Sequence, residues 1–232
     1  MLPRLTPRIT RRGALAGLAA GLGGGAAAQL HRTAVDLELV LAVDCSLSIN
    51  DTEYRLQVEG TAAAIADRAV IRAIRGGEFG RIAVTYVQWA GPRQQAQTID
   101  WTLIDGEVTA LRFARLLRSM ARPFWGDATS ISAAIDFCRP LFARNVFEGS
   151  RRTVDVSGDG INNAGRTPES ARDEAVENGI IVNGLPIMTE IGGLDRYFRD
   201  NVIGGAGAFV VPAVDLDAFA AAMRAKLIRE IA

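Results

Sequence analysis

The chain contains the run Leu37-Glu38-Leu39-Val40-Leu41-Ala42-Val43, followed directly by Asp44-Cys45-Ser46-Leu47-Ser48. A short, mostly apolar run that ends in polar residues is typical of a buried strand followed by a loop. In an extended loop, the alternate residues Asp44, Ser46 and Ser48 can direct their oxygens toward one point. Hydroxyl and carboxylate oxygens are hard ligands, which suit Mg²⁺, Mn²⁺ or Ca²⁺ better than zinc or copper. The stretch therefore predicts a buried strand that leads into a cation-binding loop, the first loop (44–48).

Strands and helices alternate along the rest of the chain. The pattern predicts strands over 37–43, 81–89, 98–103, 153–156, 180–185 and 208–211, and helices over 52–74, 105–120, 130–142, 168–177, 194–202 and 215–231. The strand over 98–103 alternates apolar and polar residues, as a half-exposed edge strand does. This order predicts an α/β fold, a doubly wound, mainly parallel sheet with one antiparallel edge strand and helices on both faces.

Two further polar loops follow predicted strands or precede a predicted helix. The second loop is Trp125-Gly126-Asp127-Ala128-Thr129, and the third loop is Ser157-Gly158-Asp159-Gly160. Ligands of doubly wound sheets bind at the carboxyl ends of the strands, so we expect the three loops to meet. The candidate metal ligands are Asp44, Ser46, Ser48, Thr129 and Asp159. This donor set favours Mg²⁺, with Mn²⁺ or Ca²⁺ as alternatives, and leaves a coordination position open.

The pattern Asp44-x-Ser46-x-Ser48, then Thr129, then Asp159-Gly160 resembles the metal-ion-dependent adhesion site (MIDAS) of von Willebrand factor type A domains. The resemblance covers about residues 35–230. Trp89-Ala90-Gly91-Pro92 and the segment 155–163 resemble an uncharacterised bacterial group of exported A-like domains. Two positions depart from the usual pattern: Asp155 stands where an apolar residue is more usual, and Gly158 stands where a threonine often precedes the metal aspartate.

Each site residue also has a simpler structural interpretation. Asp44 can accept backbone hydrogen bonds at a strand end, and the serines or Thr129 can cap helices. Asp127 is interpreted as a loop carboxylate rather than a ligand, and a turn role for Asn162 and Asn163 is at least as well supported as ligand contact. Trp125 is the tryptophan best placed for a functional role, because its loop leads to Thr129.

The N-terminal segment 1–28 contains no acidic residue, and its basic residues are Arg4, Arg8, Arg11 and Arg12. Thr10-Arg11-Arg12-Gly13-Ala14-Leu15 resembles a twin-arginine export signal, and Ala26-Ala27-Ala28 offers a small-residue cleavage site. The apolar run between them is shorter than the roughly 20 residues that span a membrane. We expect a signal peptide over 1–28, a single domain over 29–232 in the periplasm or outside the cell, and no stable membrane span after cleavage. A disordered tail of a cytosolic protein is the alternative.

Composition restricts the function classes. The 26 basic and 26 acidic side chains balance, which gives no support for nucleic-acid binding. The single histidine, His31, leaves little material for a catalytic triad or a histidine-bound zinc site. Cys45 and Cys138 are an even pair, but a helix rising about 1.5 Å per residue places them roughly 10–13 Å apart, beyond the about 7 Å that a disulfide allows. Buried thiols are the expectation, with a disulfide left open.

The resemblance implies an exported binding module in which a carboxylate of a partner protein completes the coordination of the metal. A metal-dependent, phosphoesterase-like hydrolase is the second hypothesis, but Ser46 occupies the position where an aspartyl phosphatase has its acid/base carboxylate. A structural subunit with a vestigial metal site is the third. We therefore expect a protein that is not an enzyme.

Overall fold

The computed structural model describes residues 32–189 and 191–232 of the chain. Its strands are β1 (Thr33–Val35), β2 (Leu37–Asp44), β3 (Ile82–Trp89), β4 (Gln95–Ile104), β5 (Phe147–Gly149), β6 (Arg152–Gly158) and β7 (Ile181–Pro186). Within this part of the chain, the main sheet has the order β4-β3-β2-β6-β7. All neighbouring strands in it are parallel except β3 and β4, which are antiparallel. The predicted mainly parallel sheet with one antiparallel edge strand is confirmed. The signal peptide predicted over 1–28 lies outside the described residues.

Helices cover both faces of the sheet. They are α1 (Asp51–Ile65), α2 (Arg68–Arg75), α3 (Glu107–Ser119), α4 (Ile131–Cys138), α5 (Pro168–Glu177), α6 (Leu194–Tyr197) and α7 (Phe219–Ile231). Alternate residues of β2 face opposite sides, so Leu39 and Leu41 pack with α1, α2, α3 and α7. Val40 and Ala42 pack with α4, α5 and α6 on the other side. This period of two on a strand buried on both faces produces two separate apolar cores.

The single helix predicted over 52–74 is wrong, because two helices occupy this stretch. α1 begins after Asn50, whose side chain accepts hydrogen bonds from the backbone N–H groups of Thr52 and Glu53. α1 ends at Ile65, and Asp67 adopts extended backbone and accepts from Ala69 N at 2.7 Å. An aspartate in this conformation is a helix N-cap, so it starts α2 rather than continuing α1.

Other boundaries also differ from the prediction. The predicted helix over 130–142 ends as an α-helix at Cys138 and continues as a 3₁₀ turn over Arg139–Arg144. The strand predicted over 208–211 is reduced to a single parallel bridge between Val210 and Gly184 of β7. Phe209 N donates to the side chain of Asn183, so the pairing does not extend into a longer ladder. The closing helix begins at Phe219 rather than at 215. The short parallel pair β1 and β5 was not predicted.

The chain order creates a switch point between β2 and β6. From β2 the chain moves outward through β3 to β4, and it then returns to the other side of β2 as β6 and β7. Loops at the carboxyl ends of such neighbouring strands diverge to opposite faces and leave a crevice between them. The first and third loops lie at this point. No helix among the described residues is long and apolar enough to cross a membrane.

Candidate metal centre

Asp44 provides a buried carboxylate at the end of β2. Its side chain is fully buried, and its Oδ1 accepts a hydrogen bond from Ser46 N at 2.8 Å. Its Oδ2 is also buried and has no hydrogen-bond partner among the described residues. Burial, and then the negative charge of Asp159, raise the pKa of Asp44 to about 7. A buried oxygen in this state needs a cation or a proton, because an unpartnered buried charge is costly.

Two serine hydroxyls join the first loop to the third loop. Ser46 Oγ lies 3.1 Å from Ser48 Oγ, and Ser48 Oγ donates a hydrogen bond of 2.9 Å to Asp159 Oδ1. Asp159 is itself buried just beyond the end of β6. Four of the five predicted ligands, two carboxylates and two hydroxyls, therefore lie close together: hydrogen bonds link the first loop to Asp159, and the charge of Asp159 is near enough to Asp44 to raise its pKa.

Thr129, the fifth predicted ligand, is held beside the third loop. Thr129 N donates to Asn163 Oδ1 at 2.9 Å, and Asn163 N donates back to Thr129 O at 2.9 Å. A Cβ at Gly160 would lie 3.6 Å from Thr129 Oγ1. Ser130, and not Thr129, caps α4, because its side chain accepts from Ala133 N. The helix-cap interpretation of Thr129 is therefore wrong, and Asn163 positions the second and third loops relative to each other.

Gly158 explains one departure from the usual pattern. A Cβ at this position would lie 3.0 Å from Asp44 Oδ2 and 3.2 Å from Asp44 Cβ. A threonine in this place would crowd the carboxylate, so glycine allows β6 to pass close to Asp44. The unpartnered oxygen of Asp44 therefore faces the start of the third loop.

The guanidinium of Arg122 holds the first loop in place, and sequence reasoning missed it. Its Nε and Nη2 donate to Cys45 O at 3.1 and 2.8 Å, and Nη2 also donates to Ser46 O at 2.6 Å. Nε also donates to Phe124 O at 3.1 Å. The Cys45 carbonyl points away from Asp44 Oδ1, because Ser46 N–H of the same trans peptide points toward it. The only local signal is that Arg122 precedes Pro123, which favours extended backbone.

The remaining candidate residues take structural or surface positions. Trp125 is 59% exposed, and the guanidinium of Arg122 lies 4.3 Å from the centroid of its ring. Asp127 is exposed. Cys45 and Cys138 are free, buried thiols, as expected, and the disulfide that was left open is not formed. Burial raises the pKa of Cys45 to about 12.

The donor set fits a hard divalent cation. Two hydroxyls and two carboxylates lie together, and the Thr129 hydroxyl lies beside Gly160 of the third loop. One carboxylate oxygen lacks a protein partner among the described residues, and the first and third loops are in contact. Within 32–189 and 191–232, no group of three or more His, Cys, Asp or Glu side chains is arranged to hold a metal. A cation here would therefore rely on hydroxyl ligands, which favours Mg²⁺, Mn²⁺ or Ca²⁺ over softer metals.

The fold is similar to that of solved von Willebrand factor type A-like structures. Proximal thread matrix protein 1 from the mussel byssus has a TM-score of 0.63 and 15% identity, over 86% of this chain and 47% of that chain. Another structure of it, with a zinc-occupied MIDAS motif, has a TM-score of 0.58 and 15% identity, over 86% and 48%.

Two bacterial structures have the same fold. The pilus adhesin SpaC from Lactobacillus rhamnosus GG has a TM-score of 0.60 and 12% identity, over 87% of this chain and 31% of that chain. The von Willebrand factor type A structure from Catenulispora acidiphila has a TM-score of 0.57 and 11% identity, over 85% and 43%. The chain thus spans less than half the length of these proteins.

No curated protein matches the sequence. Residues 34–232 match the family model described as protein of unknown function (DUF1194). The described residues form the von Willebrand factor type A-like fold. The match to the family model covers nearly all of these residues. The chain therefore belongs to this DUF1194 family.

Proposed function

We propose that the protein is an exported bacterial binding module that coordinates an acidic group of a partner protein through a divalent cation. The cation, most simply Mg²⁺, with Mn²⁺ or Ca²⁺ as alternatives, would be held by Asp44, Ser46, Ser48, Thr129 and Asp159. The observation that carries the proposal is the buried Oδ2 of Asp44, which lacks a protein partner beside a second carboxylate and two hydroxyls. When bound, the cation supplies a Lewis-acidic position for an outside oxygen.

The ligand chemistry supports capture of a carboxylate. Hydroxyl ligands are neutral, so the two carboxylates only balance the charge of a divalent cation and add no excess negative charge around it. A ligand that adds an anionic oxygen is then favoured. One similar structure, of proximal thread matrix protein 1, is described as having a zinc-occupied MIDAS motif. Another similar structure, SpaC, is described as a pilus adhesin.

Exposed apolar residues in the first two loops and directly after the third support a protein partner. Leu47, Trp125 and Ile161 are 51%, 59% and 43% exposed. Leu47 N donates to Gly126 O at 2.8 Å, which joins the first loop to the second, and Ile161 directly follows the third loop. Apolar residues around a polar centre are typical of protein interfaces, where they supply contact area while the polar centre fixes orientation.

The hydrolase alternative has weaker support. Asp44 is fully buried, and Ser46 stands where an acid/base carboxylate is needed. The similar structures reported above bear the names of a matrix protein, an adhesin and a von Willebrand factor type A domain. A binding role accounts for the apolar loop residues, whereas hydrolysis does not.

The cellular location that we propose depends on the export signal predicted over residues 1–28. We propose that residues 1–28 direct export through the twin-arginine route and that the domain over 29–232 works in the periplasm or outside the cell. Replacement of Arg11 and Arg12 by lysine in a reporter fusion is expected to stop export. Undisturbed export would remove the twin-arginine assignment without affecting the metal site.

A displayed-peptide selection tests the binding function. Random peptides are selected on the wild-type protein in Mg²⁺, eluted with EDTA and counter-selected on Asp44→Asn. We expect the recovered peptides to contain Asp or Glu and to bind Asp173→Asn, which alters an exposed aspartate on α5 outside the three loops, as well as they bind wild type. Peptides that lack an acidic residue, or that stay bound in EDTA, would contradict the proposal.

A further inference from the structure

A second group of buried charges lies under α7, outside the metal centre. Lys226 and Glu230 stand one turn apart on α7, and both side chains are fully buried. Lys226 Nζ donates a short hydrogen bond to Glu230 Oε1, and it lies 2.6 Å from Oδ1 of Asp155 on β6. Apart from this contact with Lys226, neither oxygen of Asp155 has a hydrogen-bond partner among the described residues. Asp155 is the residue that stands where the sequence pattern expects an apolar side chain.

The cluster is buried, and an aromatic ring and a side-chain amide contact it. The ring centroid of Phe209 lies 5.0 Å from Lys226 Nζ, and Asn183 Nδ2 donates to Glu230 Oε1 at 3.1 Å. Two carboxylates and one ammonium give a net negative charge if all are ionised, which is unfavourable in a buried site. Burial is the main cause that raises the pKa of Asp155 to about 7, Lys226 opposes it and Glu230 adds to it. Burial therefore favours the neutral, carboxylic acid form of Asp155 beside Lys226.

The choice of lysine at this position is chemically informative. Lys226 is the only lysine among the 26 basic side chains of the chain. An arginine guanidinium stays protonated in proteins, whereas a lysine amine can lose its proton and act as a nucleophile. A buried ion pair alone does not require that ability.

We infer that Lys226 and Asp155 form an intramolecular amide bond, with Glu230 carrying the proton. The Lys226 ammonium passes a proton to Glu230, and the free amine attacks Cγ of the protonated Asp155 carboxyl group. The new C–N bond forms as the hydroxyl departs, and Glu230 returns its proton to that hydroxyl so that water leaves. The amine loses its remaining extra hydrogen to the Glu230 carboxylate, and the net reaction is amine plus carboxylic acid giving amide plus water.

This crosslink would fasten α7 to β6, the strand that leads into the third loop. No oxidant, metal or other co-reactant is needed. The proposal is independent of the metal centre, so its failure leaves the binding proposal standing. The alternative is a permanent ion pair, which keeps all atoms of both side chains.

Tryptic peptide mapping of the purified, unfolded full chain tests the bond. Trypsin releases Thr153–Arg166, and it releases Ala225–Arg229 only if cleavage after Lys226 is blocked. We expect one branched peptide that joins both segments and is about 18 Da lighter than their sum, the mass of one water. Separate segments, with cleavage after Lys226, would overturn the proposal.

Two variants separate the crosslink from other dehydration. Lys226→Met and Glu230→Gln are both expected to have the full mass calculated from their sequences. Water loss that persists in Lys226→Met, or that is confined to Thr153–Arg166 through cyclisation at Asp159-Gly160, would also overturn it. A branched peptide in Glu230→Gln would overturn the role of Glu230 as the proton carrier.

Discussion

Asp44→Asn is expected to stabilise the metal-free protein at neutral and alkaline pH. Asparagine keeps an oxygen that can accept from Ser46 N and removes the buried charge. Burial and Asp159 raise the pKa of Asp44 from 3.8 to about 7 in the folded protein. At 1.36 kcal/mol per pKa unit, ionisation of this carboxyl group costs the folded state about 4 kcal/mol.

The direction of the pH dependence follows from the raised pKa. Between the unfolded value of 3.8 and the folded value of about 7, the folded state binds more protons than the unfolded state. The favourable contribution of Asp44 is therefore fully present below 3.8 and is lost as pH rises through 7. The free energy of unfolding of wild type should fall relative to that of Asp44→Asn, by up to about 4 kcal/mol between about pH 4 and pH 8.

Urea denaturation of both proteins in EDTA, at several pH values across this range, measures the difference. Titrating groups that do not interact with Asp44 are common to both proteins and cancel. Saturating Mg²⁺ should then stabilise wild type only and reduce or reverse the difference at pH 8. A difference that does not change with pH, or a wild type that is the more stable protein at pH 8 in EDTA, would refute the reasoning.

Two substitutions test the residues that support the metal centre, and a thiol titration tests the state of the two cysteines. Arg122→Gln removes the hydrogen bonds that hold the first loop, so we expect a loss of about 2–3 kcal/mol in the free energy of unfolding by urea denaturation and weaker Mg²⁺ binding by calorimetry. Gly158→Ala places a methyl group 3.0 Å from the first-loop carboxylate and should weaken Mg²⁺ binding, whereas Gly106→Ala meets no atom within 4 Å and should bind as wild type does. Cys45 and Cys138 should react with a thiol reagent only after unfolding, two thiols per chain without reductant, since both are buried and free.

The first loop was predictable because its information is local. Asp44, Ser46 and Ser48 alternate directly after an apolar strand, and the sheet order then brings Asp159 to the same edge. The two-sided burial of β2 likewise follows from its own residues. Short patterns therefore predicted the layers of the fold and the meeting of the first and third loops at one edge of the sheet.

The features that sequence reasoning missed depend on distant partners. Arg122 is 77 positions from Cys45, whose carbonyl it binds, and no local pattern marks this pair. The ion cluster of Lys226 and Asp155 joins a helix to a strand in the same way. At 208–211 the apolar run is typical of a strand, but only one bridge to β7 forms, since the side chain of Asn183 accepts from the backbone N–H of Phe209. Tertiary contacts decided these cases.

Cation binding at the three loops is the central claim, and anomalous diffraction from crystals grown in Mn²⁺ tests it most directly. We predict one anomalous peak within coordination distance of oxygens from Asp44 and from the first-loop serines, close to Thr129 and Asp159. Crystals of Asp44→Asn grown under the same conditions should lack the peak. A wild-type crystal with no peak between the three loops, or with Mn²⁺ bound only elsewhere, would contradict the claim.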